Sequence, residues 1–273
     1  MYIIFSSYKR CKYIAFYIWM NVEVNRLDII YNNIMNFDEF FKLFKNYSQS
    51  LNIDVNEEKI KKFYLYMNLL IEWNDKINLT AITEPKEVII KHFIDSLTIA
   101  DKIENNSKII DVGTGAGFPG IPLKIFNDTL NVTLLDSLNK RTIFLNEVIK
   151  KLNLKNIEVI HGRAEDYAKI TKYRAEYDYA VSRAVAPLNI LLEYLSPYVK
   201  VNGNVIAMKG SNAEEEIKNA SNALNVLKCK IIKNEKMNLP ENAGERYIMV
   251  IQKVENTPKA YPRNAGIPKK KPL

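Results

Sequence analysis

The sequence predicts a doubly wound α/β fold, a mainly parallel sheet with helices on both faces, preceded by an N-terminal helical region. Three observations carry that reading. Short apolar runs alternate with amphipathic stretches from Lys108 onward; a glycine-rich loop follows the first of those runs; and two final strand-like runs have no good helix between them. At 273 residues, with 47% hydrophobic and 26% charged residues, the chain has an ordinary globular composition and room for one large domain with an appendage.

Residues 1–34 differ in character from the rest of the chain. Lys9, Arg10 and Lys12 precede the apolar run Tyr13–Met20, a loose likeness to a signal peptide, but no small-x-small cleavage site comes after it. Eight residues are also far short of the ~20 needed to cross a bilayer. No other long apolar run occurs, so a cytoplasmic protein without membrane association is expected. Residues 1–34 read as a disordered extension or as an upstream stretch outside the native protein, with Met20 and Met35 both possible starts. Segment 35–107 reads as helical: Phe37, Phe40, Phe41 and Phe44 fall on one face, and Asp54-Val-Asn-Glu57 reads as a capping box opening a second helix. The stripe of that second helix is Ile60, Phe63, Tyr64, Met67 and Ile71. Pro85 suits the first turn of a third helix, running to about Ala100.

From 108 to 256 the period changes. Strands are expected at Ile109–Val112, Val132–Leu135, Ile157–Ile160, Tyr177–Val181 and Val205–Met208, with helices at 139–152 and 187–200 among the connections. Cys229–Ile232 and Tyr247–Ile251 complete seven strands, and a terminal antiparallel pair fits the methyltransferase variant of the doubly wound fold.

The most specific local signal is Asp111-Val-Gly113-Thr-Gly115-Ala-Gly117-Phe-Pro-Gly120. Read from Gly115 it matches G-x-G-x-x-G, a dinucleotide pattern. Read from Asp111 it is D-x-G-x-G-x-G, the S-adenosylmethionine pattern. A carboxylate two residues before the first glycine suits the ammonium group of that cofactor's methionine, and NAD has no such cation. Asp136 ends the second strand about 20 residues on, where an acid accepts hydrogen bonds from ribose hydroxyls. Ser137 and Leu138 are expected along the adenosine. Ala164 and Glu165 follow the third strand, where this fold holds adenine. One such acid alone reads as a solvated loop charge. Three at successive strand ends mark the crevice of an open α/β sheet. The expected fold is therefore the Rossmann-like, seven-stranded class I S-adenosylmethionine-dependent methyltransferase.

The fourth strand ends Val181-Ser-Arg183-Ala184, on the substrate side. No Asn/Asp-Pro-Pro-Tyr/Phe run follows, as methylation of an exocyclic amine would need. No cysteine stands near the crevice for pyrimidine C5 chemistry. Lys209 at the fifth strand end resembles ribose 2′-O-methyltransferases, but their acid belongs where Ser182-Arg183 stand. A nucleophile needing no deprotonation fits best, and guanine N7 is one, with proximity and orientation supplying the acceleration. Arg183 and Lys209 are the candidate catalytic residues. Arg183 suits a substrate phosphate, the O6 edge or the cofactor carboxylate, against a plain salt bridge to Asp178 or Glu165. Two cysteines, Cys11 and Cys229, and two histidines, His92 and His161, exclude a disulfide scaffold and a Cys- or His-based metal centre, so no metal is expected.

Several stretches together resemble one family. Trp73-Asn-Asp-Lys-Ile-Asn-Leu-Thr80, His92-Phe-Ile-Asp-Ser-Leu97, Asp111–Leu123, Ser182–Ala184, Met208-Lys-Gly210 and the tail Tyr261–Leu273 are similar to the bacterial 16S ribosomal RNA methyltransferase G family, also called glucose-inhibited division protein B. The resemblance covers about residue 36 to the end. It implies transfer of a methyl group from S-adenosylmethionine to N7 of guanine 527 in 16S rRNA; the expected partner is 16S rRNA or the small subunit, and a monomer is expected. The family's cofactor contacts fall on Gly113, Phe118, Asp136, Ser137, Leu138, Ala164, Glu165 and Arg183; the motif adds Asp111, Gly115 and Gly117. The alternatives are a ribose 2′-O-methyltransferase, a small-molecule methyltransferase, an inactive RNA-binding relative and a dinucleotide oxidoreductase. Net charge is +8, and the last 17 residues hold five bases and no acid. Lys259, Arg263, Lys269, Lys270 and Lys271, with Tyr261 to stack, are expected to track RNA from the tail, 257–273.

Overall fold

The structure, a computed structural model, describes residues 35–273, so the expectations for 1–34 lie outside the described residues. The chain divides into two units, Met1–Glu39 and Phe40–Leu273. Of the first, the described part is the start of α1 (Phe37–Ser50), where Asn36 Oδ1 accepts the Glu39 N–H at 3.0 Å and satisfies an orphan amide of the first turn. Every other described element belongs to the second unit.

α2 (Glu57–Ile77) is capped by Asn56, whose side chain accepts the Lys59 N–H. The expected cap, Asp54, instead pairs with Lys45 at 3.2 Å. Asn78 ends α2 in the left-handed conformation at φ 50°, a position that asparagine tolerates. The buried face of α2 is Ile60, Phe63, Tyr66, Met67 and Leu70; Tyr64 and Ile71, expected on the stripe, are half-buried.

The third helix is not continuous. α3 (Pro85–Val88) starts on Glu84, whose carboxylate accepts the Lys86 and Glu87 amides, and passes into a π-helical turn, Ile89–Ile94, and then α4 (Asp95–Leu97). Such single-turn insertions are frequent at functional sites. This one presents His92 and Phe93. Rings run from helix to loop: Phe44–Phe63 at 4.8 Å, Phe63–Phe93 at 5.1 Å, Tyr66–Phe118 at 5.5 Å and His92–Phe118 at 4.4 Å between centroids. Each buried aromatic contributes roughly 1.5–3 kcal/mol by area, so the helical region is held to the loop by core packing.

The sheet elements keep the expected order: β1 (Lys108–Val112), α5 (Gly120–Phe126), β2 (Asn131–Asp136), α6 (Asn139–Lys151), β3 (Ile157–His161), α7 (Ala164–Tyr167), β4 (Tyr177–Arg183), α8 (Leu188–Leu195), β5 (Val199–Lys209), α9 (Ala213–Asn219), α10 (Ser221–Val226), β6 (Cys229–Asn238) and β7 (Glu245–Lys253). α8 stops earlier than the expected 200 because Pro197 interrupts it, and a 3-10 turn, Ser196–Tyr198, leads into β5. Spatially the strands run β3-β2-β1-β4-β5-β7-β6. β1 to β5 are parallel, and β7 is inserted antiparallel between β5 and β6. This is the seven-stranded, Rossmann-like class I methyltransferase arrangement. Strand order reverses between β1 and β4, and open α/β sheets form their ligand crevice at that switch.

The tail is folded onto the body. Arg174 donates to the carbonyls of Thr257, Pro258 and Tyr261, and a short last helix, α11 (Ile267–Lys270), comes after Gly266. Among the described residues no helix is long and apolar enough to cross a membrane.

Candidate functional site

A cavity of about 600 Å³ opens at the C-terminal ends of β1, β2, β3 and β4, within the roughly 300–1,000 Å³ common for small-molecule sites. Its floor is the glycine loop. Gly113 and Gly115 have φ of +72° and +62°, a region costly for other residues. A Cβ on Gly113 would stand 2.7 Å from Val185 Cγ2, whereas one on Gly115 would meet nothing within 4 Å. The loop therefore has one crowded and one open glycine.

Of the residues singled out from the sequence, Gly113, Gly115, Phe118, Asp136, Ser137, Leu138, Ala164, Glu165 and Arg183 all line this cavity. The Asp136 carboxylate is 3% exposed. Its Oδ1 accepts the Leu138 N–H at 2.9 Å, and its Oδ2 accepts the Gly115 N–H at 2.9 Å and an Arg141 Nη1 proton at 3.3 Å. It thus ties the loop to β2 while facing the cavity. Leu138 is 43% exposed there, an apolar surface available to a ring.

Two loop residues face elsewhere. Asp111 does not line the cavity, contrary to the expected role toward an ammonium group. Its carboxylate is fully buried behind the loop, where Oδ2 accepts the Thr114 hydroxyl at 2.6 Å and the Gly120 N–H at 2.8 Å, and Oδ1 has no partner. The chain returns to Asp111 nine residues later at the start of α5, and that return captures the side chain. Burial pushes its pKa up to about 7, against the pull of those hydrogen bonds. Gly117, at φ +102°, also lies off the cavity; a Cβ there would collide with the Tyr66 hydroxyl. That hydroxyl donates to the Ala116 carbonyl, so Gly117 serves contact with α2.

The opposite wall comes from distant segments: Thr80, His92, Arg183, Val185, Gly266 and Lys269. Arg183 Nη1 donates to Asp95 Oδ2 at 3.0 Å and to the Lys91 carbonyl at 2.8 Å, and Nη2 donates to His92 Nδ1 at 3.1 Å. The expected alternatives, Asp178 and Glu165, are not its partners. Asp95 is buried and also accepts from Arg246 Nε at 3.0 Å, so one carboxylate is clamped by two guanidinium groups. Burial, with the Arg183 charge adding to it, pushes the His92 imidazole down to about 3, and the ring is neutral.

A second cavity of about 540 Å³ shares His92, Arg183, Ala184 and Val185 with the first. It continues to Asp95, Lys209, Glu216 and Arg246. Lys209 is here and not in the first cavity; its ammonium donates to the Ala186 carbonyl at 2.5 Å and pairs with Glu216 at 2.7 Å.

The expected tail residues divide. Lys259, Lys269, Lys270 and Lys271 are exposed. Arg263 is not free: it donates to both oxygens of the fully buried Glu193, at 2.6 Å to Oε2 and 2.9 Å to Oε1. Lys269 lines the first cavity, and Gly266 N–H donates to Glu165 Oε1 at 3.0 Å. Tyr261, expected to be available for stacking, is half-buried against the hydrophobic core.

His92, Asp95 and Thr80 escaped residue-level reading, although the stretches Trp73–Thr80 and His92–Leu97 that carry the family resemblance contain them. Among the described residues no group of three or more His, Cys, Asp or Glu stands where it would hold a metal ion.

Residues 59–244 match the family described as rRNA small subunit methyltransferase G, GidB. A protein of Desulforamulus reducens named ribosomal RNA small subunit methyltransferase G is 52% identical over 84% of this chain and 96% of its own. One of the same name from Thermoanaerobacter sp. strain X514 is 54% identical over 78% of this chain and 90% of its own. Among solved structures, a putative S-adenosylmethionine-dependent methyltransferase from Streptococcus mutans overlaps 59% of this chain and 49% of its own, at 11% identity and a TM-score of 0.48. With a family match over most of its length and relatives at about half identity, the chain belongs to the rRNA small subunit methyltransferase G family.

Proposed function

We propose that the chain transfers the methyl group of S-adenosylmethionine to N7 of guanine 527 in 16S rRNA, acting in the cytoplasm as a monomer on the free RNA or the small subunit. The cofactor occupies the first cavity. Gly113 and Gly115 let the backbone approach it, Phe118 walls its methionine chain, Asp136 faces its ribose, and Leu138, Ala164 and Glu165 surround its adenine. The open face of Gly115 supports that fit, because a side chain there would occupy the space the ligand needs. Segment 35–107 supplies Thr80, His92 and Asp95, 108–256 supplies the cofactor floor, and 257–273 supplies an outer wall.

The observation that carries the N7 reading is that, among the described residues, no available base stands where the two cavities meet. His92 has both ring nitrogens engaged, Lys209 is an ammonium held by Glu216 and the Ala186 carbonyl, and Asp95 is clamped by Arg183 and Arg246. Ribose 2′-O-transfer would need a hydroxyl proton removed. The N7 lone pair needs none. When bound, the cofactor supplies a methyl group on a positively charged sulfur, with a neutral thioether as leaving group. The chain's own residues then orient the base against Arg183 and exclude water with Phe118, Val185 and His92.

Incubating the full chain with methyl-labelled S-adenosylmethionine and unmodified small subunits or 16S rRNA, then mapping the label, tests this reading. Label at one guanine N7 is the expected result; label at a ribose or at adenine N6, or no transfer to either substrate, overturns it.

A further inference from the structure

Arg183, His92 and Thr80 form a chain of hydrogen bonds whose direction is fixed at one end. A guanidinium can only donate, so the 3.1 Å contact makes His92 Nδ1 the acceptor. A neutral imidazole with Nδ1 accepting carries its proton on Nε2, and that proton points at Thr80 Oγ1, 2.9 Å away. Thr80 Oγ1 also accepts the Ile82 N–H at 3.0 Å. A hydroxyl oxygen has two lone pairs, and both are taken from inside the protein. The hydroxyl proton remains, and among the described residues no protein acceptor receives it. Thr80 is held rigidly from its backbone as well: Asn74 Oδ1 accepts the Leu79 and Thr80 amides at 2.7 and 2.8 Å, just past the left-handed cap of α2. The side chain lines the first cavity.

We propose that Thr80 is a ligand-binding residue of this cavity, an oriented hydroxyl donor for an anionic or carbonyl oxygen at the end walled by Phe118 and Arg183. The proposal rests on the cofactor reading above and names the group recognised, the carboxylate of the cofactor's amino-acid portion. The location follows from the packing. His92, bonded to Thr80, lies flat on Phe118 at 4.4 Å between ring centroids, and the Arg183 guanidinium stands 5.0 Å above the same Phe118 ring. Thr80 therefore belongs to the β1–β4 end of the crevice, away from Glu165 at the β3 side. Arg183 brings positive charge to that end, and Thr80 brings a proton whose direction is set before any ligand arrives. Such preorganisation lowers the cost of binding.

The test is titration calorimetry of the full-length wild type, Thr80→Val and Thr80→Ser, with S-adenosylmethionine and with 5′-methylthioadenosine, which lacks the carboxylate. Thr80→Val is expected to bind S-adenosylmethionine about tenfold more weakly, as for a lost hydrogen bond to a charged group. Its affinity for 5′-methylthioadenosine should change by no more than about twofold, and Thr80→Ser should restore both. Thermal unfolding of each variant shows whether the site is folded. Wild-type affinity for S-adenosylmethionine in Thr80→Val overturns the proposal, as does an equal loss for both nucleosides, which marks a purely structural role. Failure of the wild-type chain to bind S-adenosylmethionine at all removes the cofactor reading itself, an outcome separate from any difference between variants.

Discussion

The two walls of the cofactor cavity are built in opposite ways. The floor is contiguous chain, Asp111 to Gly120, shaped by glycines at positive φ and tied down by two buried carboxylates that accept its amides. The facing wall is made of side chains and tail residues brought together across long separations: Arg183 to His92, ninety-one residues apart, and Glu165 to Gly266, one hundred and one apart. A backbone wall fails when the chain cannot take its conformation. A side-chain wall fails when one partner of a charge-assisted contact is removed.

The largest effect should come from breaking the floor. Gly113→Asp places a side chain at φ +72°, against Val185, and is expected to lower cofactor affinity by more than about a hundredfold with the fold retained, read by calorimetry and circular dichroism. Near-normal affinity would show that the cofactor lies elsewhere.

The next comes from the tail. Arg263→Ala strands the buried Glu193 carboxylate and should cost about 3–5 kcal/mol of stability in denaturant unfolding. A cost near zero would mean that the tail is not docked in solution.

Asp111 separates the walls by pH. Its folded pKa, near 7, exceeds the unfolded value of 3.8, so the native state binds the extra proton. This contribution favours folding at low pH, falls away as pH rises from about 4 to about 7, and stays lost above that. Asp111→Asn, neutral throughout, should remove that decline from the plot of Tm against pH, a difference on the order of a few kcal/mol at most. Parallel curves for the two proteins would refute it.

The smallest effect belongs to the exposed lysines. Replacing Lys259, Lys270 and Lys271 with Ala together should leave Tm unchanged and lower the slope of log affinity against log salt for rRNA binding by about two to three. An unchanged slope would place the RNA-attracting charge elsewhere.

The floor was legible because its elements are local. An acid, three spaced glycines, a strand before and a helix after are visible in ten residues. The orientation of Asp111 was not, since it depends on where the chain returns at Gly120. Similarly, Asp54 and Asn56 both suit a helix start, and only the route of the chain toward Lys45 assigned one to the cap and the other to an ion pair. The facing wall escaped for a different reason. A single histidine carries no pattern, and His92 acquires its role from a π-helical turn and from an arginine on β4. The tail's charge was read correctly in sign and incompletely in purpose. Arg263 is engaged by Glu193, which leaves four exposed lysines, one of them Lys269 at the cavity rim.

The sheet order has a consequence for the molecule's behaviour in solution. Among the described residues the strands at its two ends are β3 and β6. β6 presents exposed lysines at 230, 233 and 236, two of them in ion pairs with Glu235 and Glu245. A second copy pairing its backbone along that border would have to strip water from those charges and bring like lysines together. That border is therefore protected against edge-to-edge aggregation by its own side chains, and an alanine at Lys233 or Lys236 would weaken that protection without touching either cavity.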